Sequence, residues 1–174
     1  RFRENYSPLP SKFSLLNCAL MAEDGNVTMY RIAPEKISEY QRMYKLTANA
    51  SGITSLSRTH VFNFLSRTLG HTLSRNEISN WISAMNVEAI SVKSLLSKYD
   101  LKQVDFLQID AEGYDYVIIQ LFFEVNVFPS VINFEIKNLS CDDQESVISD
   151  LTSFGYSMCR HGGDICAFRG ISFS

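Results

Sequence analysis

The segment Val104-Asp105-Phe106-Leu107-Gln108-Ile109-Asp110 constrains this chain most. It reads as a strand that is apolar on both faces, which a parallel sheet requires and a half-solvated sheet does not. Gly113 stands in the turn that follows, and Tyr114, Val117, Ile118, Leu121 and Phe122 keep helical spacing. Pro129 comes after that helix, and Val131-Ile132-Asn133-Phe134-Glu135-Ile136 reads as a second buried-type strand. A further helix carries Val147, Ile148, Leu151 and Phe154, with Asp142 or Asp143 as its cap and Gly155 at its end. Tyr156 to Cys159 and Ile165 to Phe168 then flank Arg160-His161-Gly162-Gly163-Asp164, which predicts a hairpin with an ordinary glycine turn. Strand, helix, strand, helix, hairpin is the closing half of an open α/β sheet.

The upstream half has a different character. Phe13 to Leu16 is a short apolar run, and Val27 to Tyr30 is an extended piece after the hairpin-type turn Glu23-Asp24-Gly25-Asn26. Pro34 suits a first helical turn before Ile37, Tyr40 and Tyr44. A polar stretch from Thr47 to Ser57 leads to a second stripe, Val61, Phe62, Leu65 and Leu69, ended by Gly70. Ser74-Arg75-Asn76-Glu77 is a capping box before Ile78, Trp81, Ile82 and Met85, which recur at i, i+3, i+4 and i+7. Residues 34–86 therefore predict a mainly helical insertion within one α/β domain spanning 1–174. Ala89 to Val92 returns to strand character, and Ser94 to Tyr99 predicts a short helix.

Composition narrows the partners. At 174 residues, with 45% hydrophobic residues and a net charge of −3, the chain matches one ordinary globular domain. No apolar stretch approaches the roughly 18 residues of a membrane span, and weak acidity without a basic run argues against nucleic acid. Cys18, Cys141, Cys159 and Cys166 form no Cys-x-x-Cys pair, so free thiols in a reducing, cytoplasmic setting are expected, and no metal is assigned. The sequons at Asn26, Asn49 and Asn138 occur about as often as chance provides in this composition.

Ligands in open α/β sheets bind beyond the C-terminal strand ends. Asp110 closes the first buried-type strand, Glu112 follows two residues later, and Glu135 lies near the end of the second. Asp110 has an ordinary alternative role as a cap for the helix after it. Two carboxylates at neighbouring strand ends point instead to a cationic ligand or to proton transfer.

The run from Val104 through Asp110-Ala111-Glu112-Gly113 to Asp115 resembles the signature of FkbM-type methyltransferases, in which an apolar strand precedes Asp-(small)-Glu-Gly and an amphipathic helix. Asn17-Cys18-Ala19-Leu20 is similar to the family's Asn-x-Ala-Leu segment. Ser51 to Leu56 is similar to its Ser-rich stretch, and Ile90 to Leu96 to its Val-x-Thr-Leu-Asp element. The likeness covers most of 13–168, apart from about 59–86. It implies a class I, Rossmann-type, mostly parallel sheet with a terminal β-hairpin, and S-adenosyl-L-methionine as cofactor. It further implies O-methylation of a hydroxyl on a sugar, glycan or other natural-product small molecule.

The resemblance places Asp110 beside the methionine end of the cofactor and makes Glu112 a base. It gives Glu135 the acceptor hydroxyls or the ordering of the loop, brings Asn17, Ala19 and Leu20 to the adenine, and makes Ser55 an acceptor contact. Two departures stand out. Gln108 occupies a position that is often basic, and no Asp-x-Gly-x-x-x-Gly cofactor cradle occurs in the sequence. The chain is thus expected to be the C-terminal part of such an enzyme, with the N-terminal βα units missing, or a non-catalytic remnant or interaction domain. Loss of the first strand would expose an apolar sheet edge that invites a second copy.

Overall fold

The computed structural model describes residues 14–44 and 53–170. Phe13 of the first apolar run, and Ser51 and Gly52 of the Ser-rich stretch, lie outside the described residues. Among the described residues the fold is mixed α/β with two four-stranded sheets, and the chain divides into two compact units, Arg1–Ile90 and Ser91–Ser174. Among the described residues no helix is long and apolar enough to cross a membrane.

In the first unit, β1 (Ala19–Met21), β2 (Gly25–Ile32), β3 (Thr54–Ser55) and β4 (Ile82–Ser91) form a sheet in the order β1-β4-β2-β3. The Asp24-Gly25 turn joins β1 to β2 but does not pair them, contrary to the hairpin expectation. Strand β4 lies between them and pairs antiparallel with β2 from Gly25↔Ala89 to Ile32↔Ile82. A ladder of that length outcompetes anything the three residues of β1 offer. Pro34 opens a 3₁₀ turn before α1 (Ile37–Tyr44), as its fixed φ favours. The Ser57 hydroxyl caps α2 (Arg58–Leu69) by accepting from the His60 amide. Val61, Leu65 and Leu69 of that helix are fully buried with Ile32, Tyr40, Ile78 and Trp81.

The capping box of Ser74 and Glu77 forms as predicted, but its helix α3 (Arg75–Asn80) is short. Trp81, Ile82 and Met85 were expected to continue the apolar stripe. Instead Trp81 is the C-cap, its carbonyl accepts from the Ala33 amide, and Ile82 and Met85 belong to β4. The mainly helical insertion therefore ends before Ile82. A competing signal was present, since burial alternates with period two through Met85, Val87 and Ala89 against Ala84, Asn86 and Glu88.

The second unit follows the predicted element order. Helix α4 (Val92–Lys98), capped by Ser91, precedes β5 (Phe106–Gln108), α5 (Asp115–Glu124), β6 (Val131–Glu135), α6 (Cys141–Ser153), β7 (Ser157–His161) and β8 (Asp164–Phe168). The cap of α6 is Ser140, whose hydroxyl accepts from the Asp143 amide, rather than Asp142 or Asp143. The sheet order is β5-β6-β8-β7. Its parallel pair is β5–β6, while β6–β8 and β8–β7 are antiparallel, so among the described residues the sheet is mixed and not mostly parallel.

One face of this sheet packs the core. Leu107, Ile132, Phe134, Ile165 and Ala167 meet Ile119 of α5 and Val147 and Leu151 of α6. The alternate positions Phe106 and Gln108 are exposed, so β5 is not buried on both faces as its composition suggested. Two tyrosine hydroxyls tie neighbouring segments: Tyr116 Oη of α5 donates to Asp150 Oδ2 of α6 at 2.6 Å, and Tyr156 Oη donates to the Pro129 carbonyl at 2.7 Å.

Candidate functional site

Parallel pairing of β5 with β6 brings the C-terminal ends of two strands side by side. Ile109 N–H extends the ladder to the Asn133 carbonyl, after which the chain turns through Asp110-Ala111-Glu112-Gly113 into α5. Two consecutive residues of that turn are left-handed, Glu112 at φ 51° and Gly113 at φ 95°. Glycine accepts this at little cost, whereas glutamate is strained by about 1 kcal/mol or more. Gly113 also lies close to the loop after β6, because a Cβ there would stand 3.0 Å from the Asn138 carbonyl oxygen.

Asp115 holds the turn in place. Its carboxylate is fully buried and accepts the amides of Ala111 and Gly113 at 3.3 Å and of Glu135 at 3.2 Å. One side chain thus ties the turn after β5 to the end of β6. Burial pushes its pKa up, against backbone donors, Glu135 first among them, which pull it down. Orphaned buried amides are costly, so these contacts fix the backbone that presents residues 110 and 112.

Above that anchor the rim is acidic. Asn138 Nδ2 donates to Glu112 Oε2 at 3.1 Å and also to Glu135 Oε2, so one amide holds two carboxylates together. Lys137 Nζ pairs with Glu135 Oε1. Its ammonium is held above the ordinary lysine range first by that contact, then by the charges of Asp164 and Glu112. The turn of the β7–β8 hairpin reaches the same rim. The Gly163 carbonyl accepts from Ile136 and Lys137, and a Cβ on Gly163 would press 2.7 Å from Lys137 Cδ. Such a rim suits a cation, or a hydroxyl that must be oriented and deprotonated.

The structure brings Glu112 and Glu135 together as the sequence predicted. Asp110 is exposed on the same turn, and it does not cap α5, whose N-cap residue Tyr114 makes no side-chain cap. Asn17, Ala19, Leu20 and Ser55 belong to the first unit. Asn17 is exposed ahead of β1, while Ala19 and Leu20 are half-buried within it. A cavity of about 330 Å³ opens just beyond, lined by Met21 to Val27 and Ala89. Ser55 is buried in β3, and its hydroxyl accepts from the Ser57 amide.

Sequence reasoning missed Asp115 and Asn138. Asp115 carried the signal of an acid in a first helical turn. In the sequence Asn138 stands out only as part of a sequon, yet its amide nitrogen bridges the two glutamates.

A family model for the methyltransferase FkbM domain matches residues 3–158. The chain belongs to the FkbM methyltransferase family. The match to that family's domain takes in the whole carboxylate rim from Asp110 to Asn138 and ends inside β7. No curated protein and no solved structure matches this FkbM-family chain.

Proposed function

We propose that this chain carries the acceptor side of an S-adenosyl-L-methionine-dependent O-methyltransferase that acts on a hydroxyl of a sugar or natural-product small molecule. The observation that carries the reading is the Asn138 bridge between Glu112 and Glu135 beyond the ends of the parallel pair. When bound, the cofactor supplies an electrophilic methyl group on a cationic sulfonium. A carboxylate-rich rim fits that cationic end. No Asp-x-Gly-x-x-x-Gly cradle for the rest of the cofactor occurs in the sequence.

Within this reading each rim residue has a separate task. Glu112 takes the proton of the acceptor hydroxyl, with Asn138 fixing its orientation. Glu135 accepts from neighbouring acceptor hydroxyls, with its Oε1 paired to Lys137. Asp110 adds negative charge beside the methionine end. Methyl transfer is a direct displacement, so the protein supplies position, water exclusion and a base rather than a covalent intermediate.

The test is transfer of isotope-labelled methyl to a panel of glycans and polyhydroxylated small molecules, with calorimetric titration of S-adenosylhomocysteine alongside. Glu112→Gln should lower turnover by about 10²–10⁴-fold, the range for loss of a general base, and should leave S-adenosylhomocysteine affinity unchanged. Near wild-type turnover in both Asp110→Asn and Glu112→Gln would overturn these roles. The lack of the glycine pattern favours a second reading, a non-catalytic interaction domain. That reading gains if neither S-adenosylhomocysteine binding nor methyl transfer is detected.

A further inference from the structure

The register of the terminal hairpin sets two thiols face to face. Cys159 on β7 is the direct cross-strand partner of Cys166 on β8, and both are free cysteines. Directly opposed residues of an antiparallel pair project from the same face, with Cα atoms about 4.5 or 5.5 Å apart according to the ladder bonding. Either spacing falls within the roughly 4.4–6.8 Å that a disulfide spans. They lie on the face away from the core, since the alternating residues Ile165 and Ala167 are the ones packed inside. Cys159 is exposed and Cys166 is half-buried.

We propose that Cys159 and Cys166 form a reversible cross-strand disulfide, a modification site whose reaction partner is a low-molecular-weight disulfide such as glutathione disulfide. The Cys159 thiolate attacks one sulfur of the small disulfide, forming a mixed disulfide and expelling one thiolate. The Cys166 thiolate then attacks the Cys159 sulfur, closing the internal bond and expelling the second. Two protein thiols are oxidised, one small disulfide is reduced to two thiols, and the two protons pass to the leaving thiolates. Burial and the neighbouring Cys159 hold the Cys166 thiol up, which leaves the first attack to the exposed partner. Closure would staple β7 to β8 near a turn whose Gly163 carbonyl accepts from Ile136 and Lys137. The dithiol does not depend on the rim transferring methyl groups.

The test uses the 174-residue chain with Cys141→Ser, equilibrated in glutathione buffers of stepped thiol-to-disulfide ratio, quenched by alkylation and digested with trypsin. Cleavage after Arg160 puts Cys159 and Cys166 on separate peptides. The expected result is a cross-linked pair of these peptides that dithiothreitol separates. The cross-link should persist in Cys18→Ser and vanish in Cys159→Ser. With Cys166→Ser, a stable glutathione adduct should accumulate on Cys159. Unlinked thiols at the most oxidising ratio, or a glutathione adduct on Cys159 that persists while Cys166 is present, would overturn the proposal.

Discussion

Asp115 shows how much of this rim depends on a residue that never faces a ligand. Its carboxylate is the shared acceptor for two amides of the turn after β5 and one at the end of β6, so its removal leaves three part-buried donors without that partner. Asp115→Ala should therefore cost about 2–4 kcal/mol, the range for unsatisfied buried polar groups plus a small cavity, read from urea denaturation. Gly113→Ala should cost about 1–3 kcal/mol, because it forces a side chain into a left-handed residue and against the Asn138 carbonyl. The acidic character of the turn was legible in Asp110-Ala111-Glu112-Gly113, because a charged group after an apolar strand has to reach water or a partner. Which carboxylate would be buried was not legible. That depends on the Glu135 amide, 20 residues away along the chain, and on a crossover that no local pattern encodes.

At the scale of elements, local signals held where capping chemistry was complete. Ser74 and Glu77 form both halves of their box, and Ser74→Ala should lower stability by about 1 kcal/mol in thermal or chemical melts. Signals failed where two periodicities overlapped. Ile78, Trp81, Ile82 and Met85 fit a helix, while Met85, Val87 and Ala89 fit a strand, and long-range pairing with β2 settled the matter in favour of the strand. The same ladder explains the failed β1–β2 hairpin, since a turn sequence fixes the direction of the chain but not its neighbour in the sheet. In the second unit the predicted order of strands and helices holds throughout, because Gly113, Pro129 and the Gly162-Gly163 turn punctuate it. Its strand directions were less legible, since an apolar run reads alike in a parallel or an antiparallel ladder.

Across the molecule, two buried titratable groups should shape the dependence of stability on pH. Burial holds Asp115 above its ordinary value of 3.8, so the folded chain binds more protons than the unfolded chain just above that value. Stability from this group is full below the ordinary value and falls as pH rises through the raised one. The stability of wild type relative to Asp115→Asn should accordingly shrink from acid toward neutral pH in paired urea titrations. Tyr116 is pushed up to about 12, first by burial and then by its hydrogen bond to Asp150. Its contribution is full below the ordinary value of 10 and is lost as pH climbs to about 12. Tyr116→Phe should flatten that alkaline decline in a series of buffered melts.

The inward anchor at Asp115 has a practical corollary for anyone probing the chemistry. Since the loop is clasped from beneath, isosteric swaps at positions 110 and 112 alter charge while the scaffold under them keeps its shape. A lost reaction in such a variant then reports on the missing carboxylate itself, and a variant at 115 reports on the mounting.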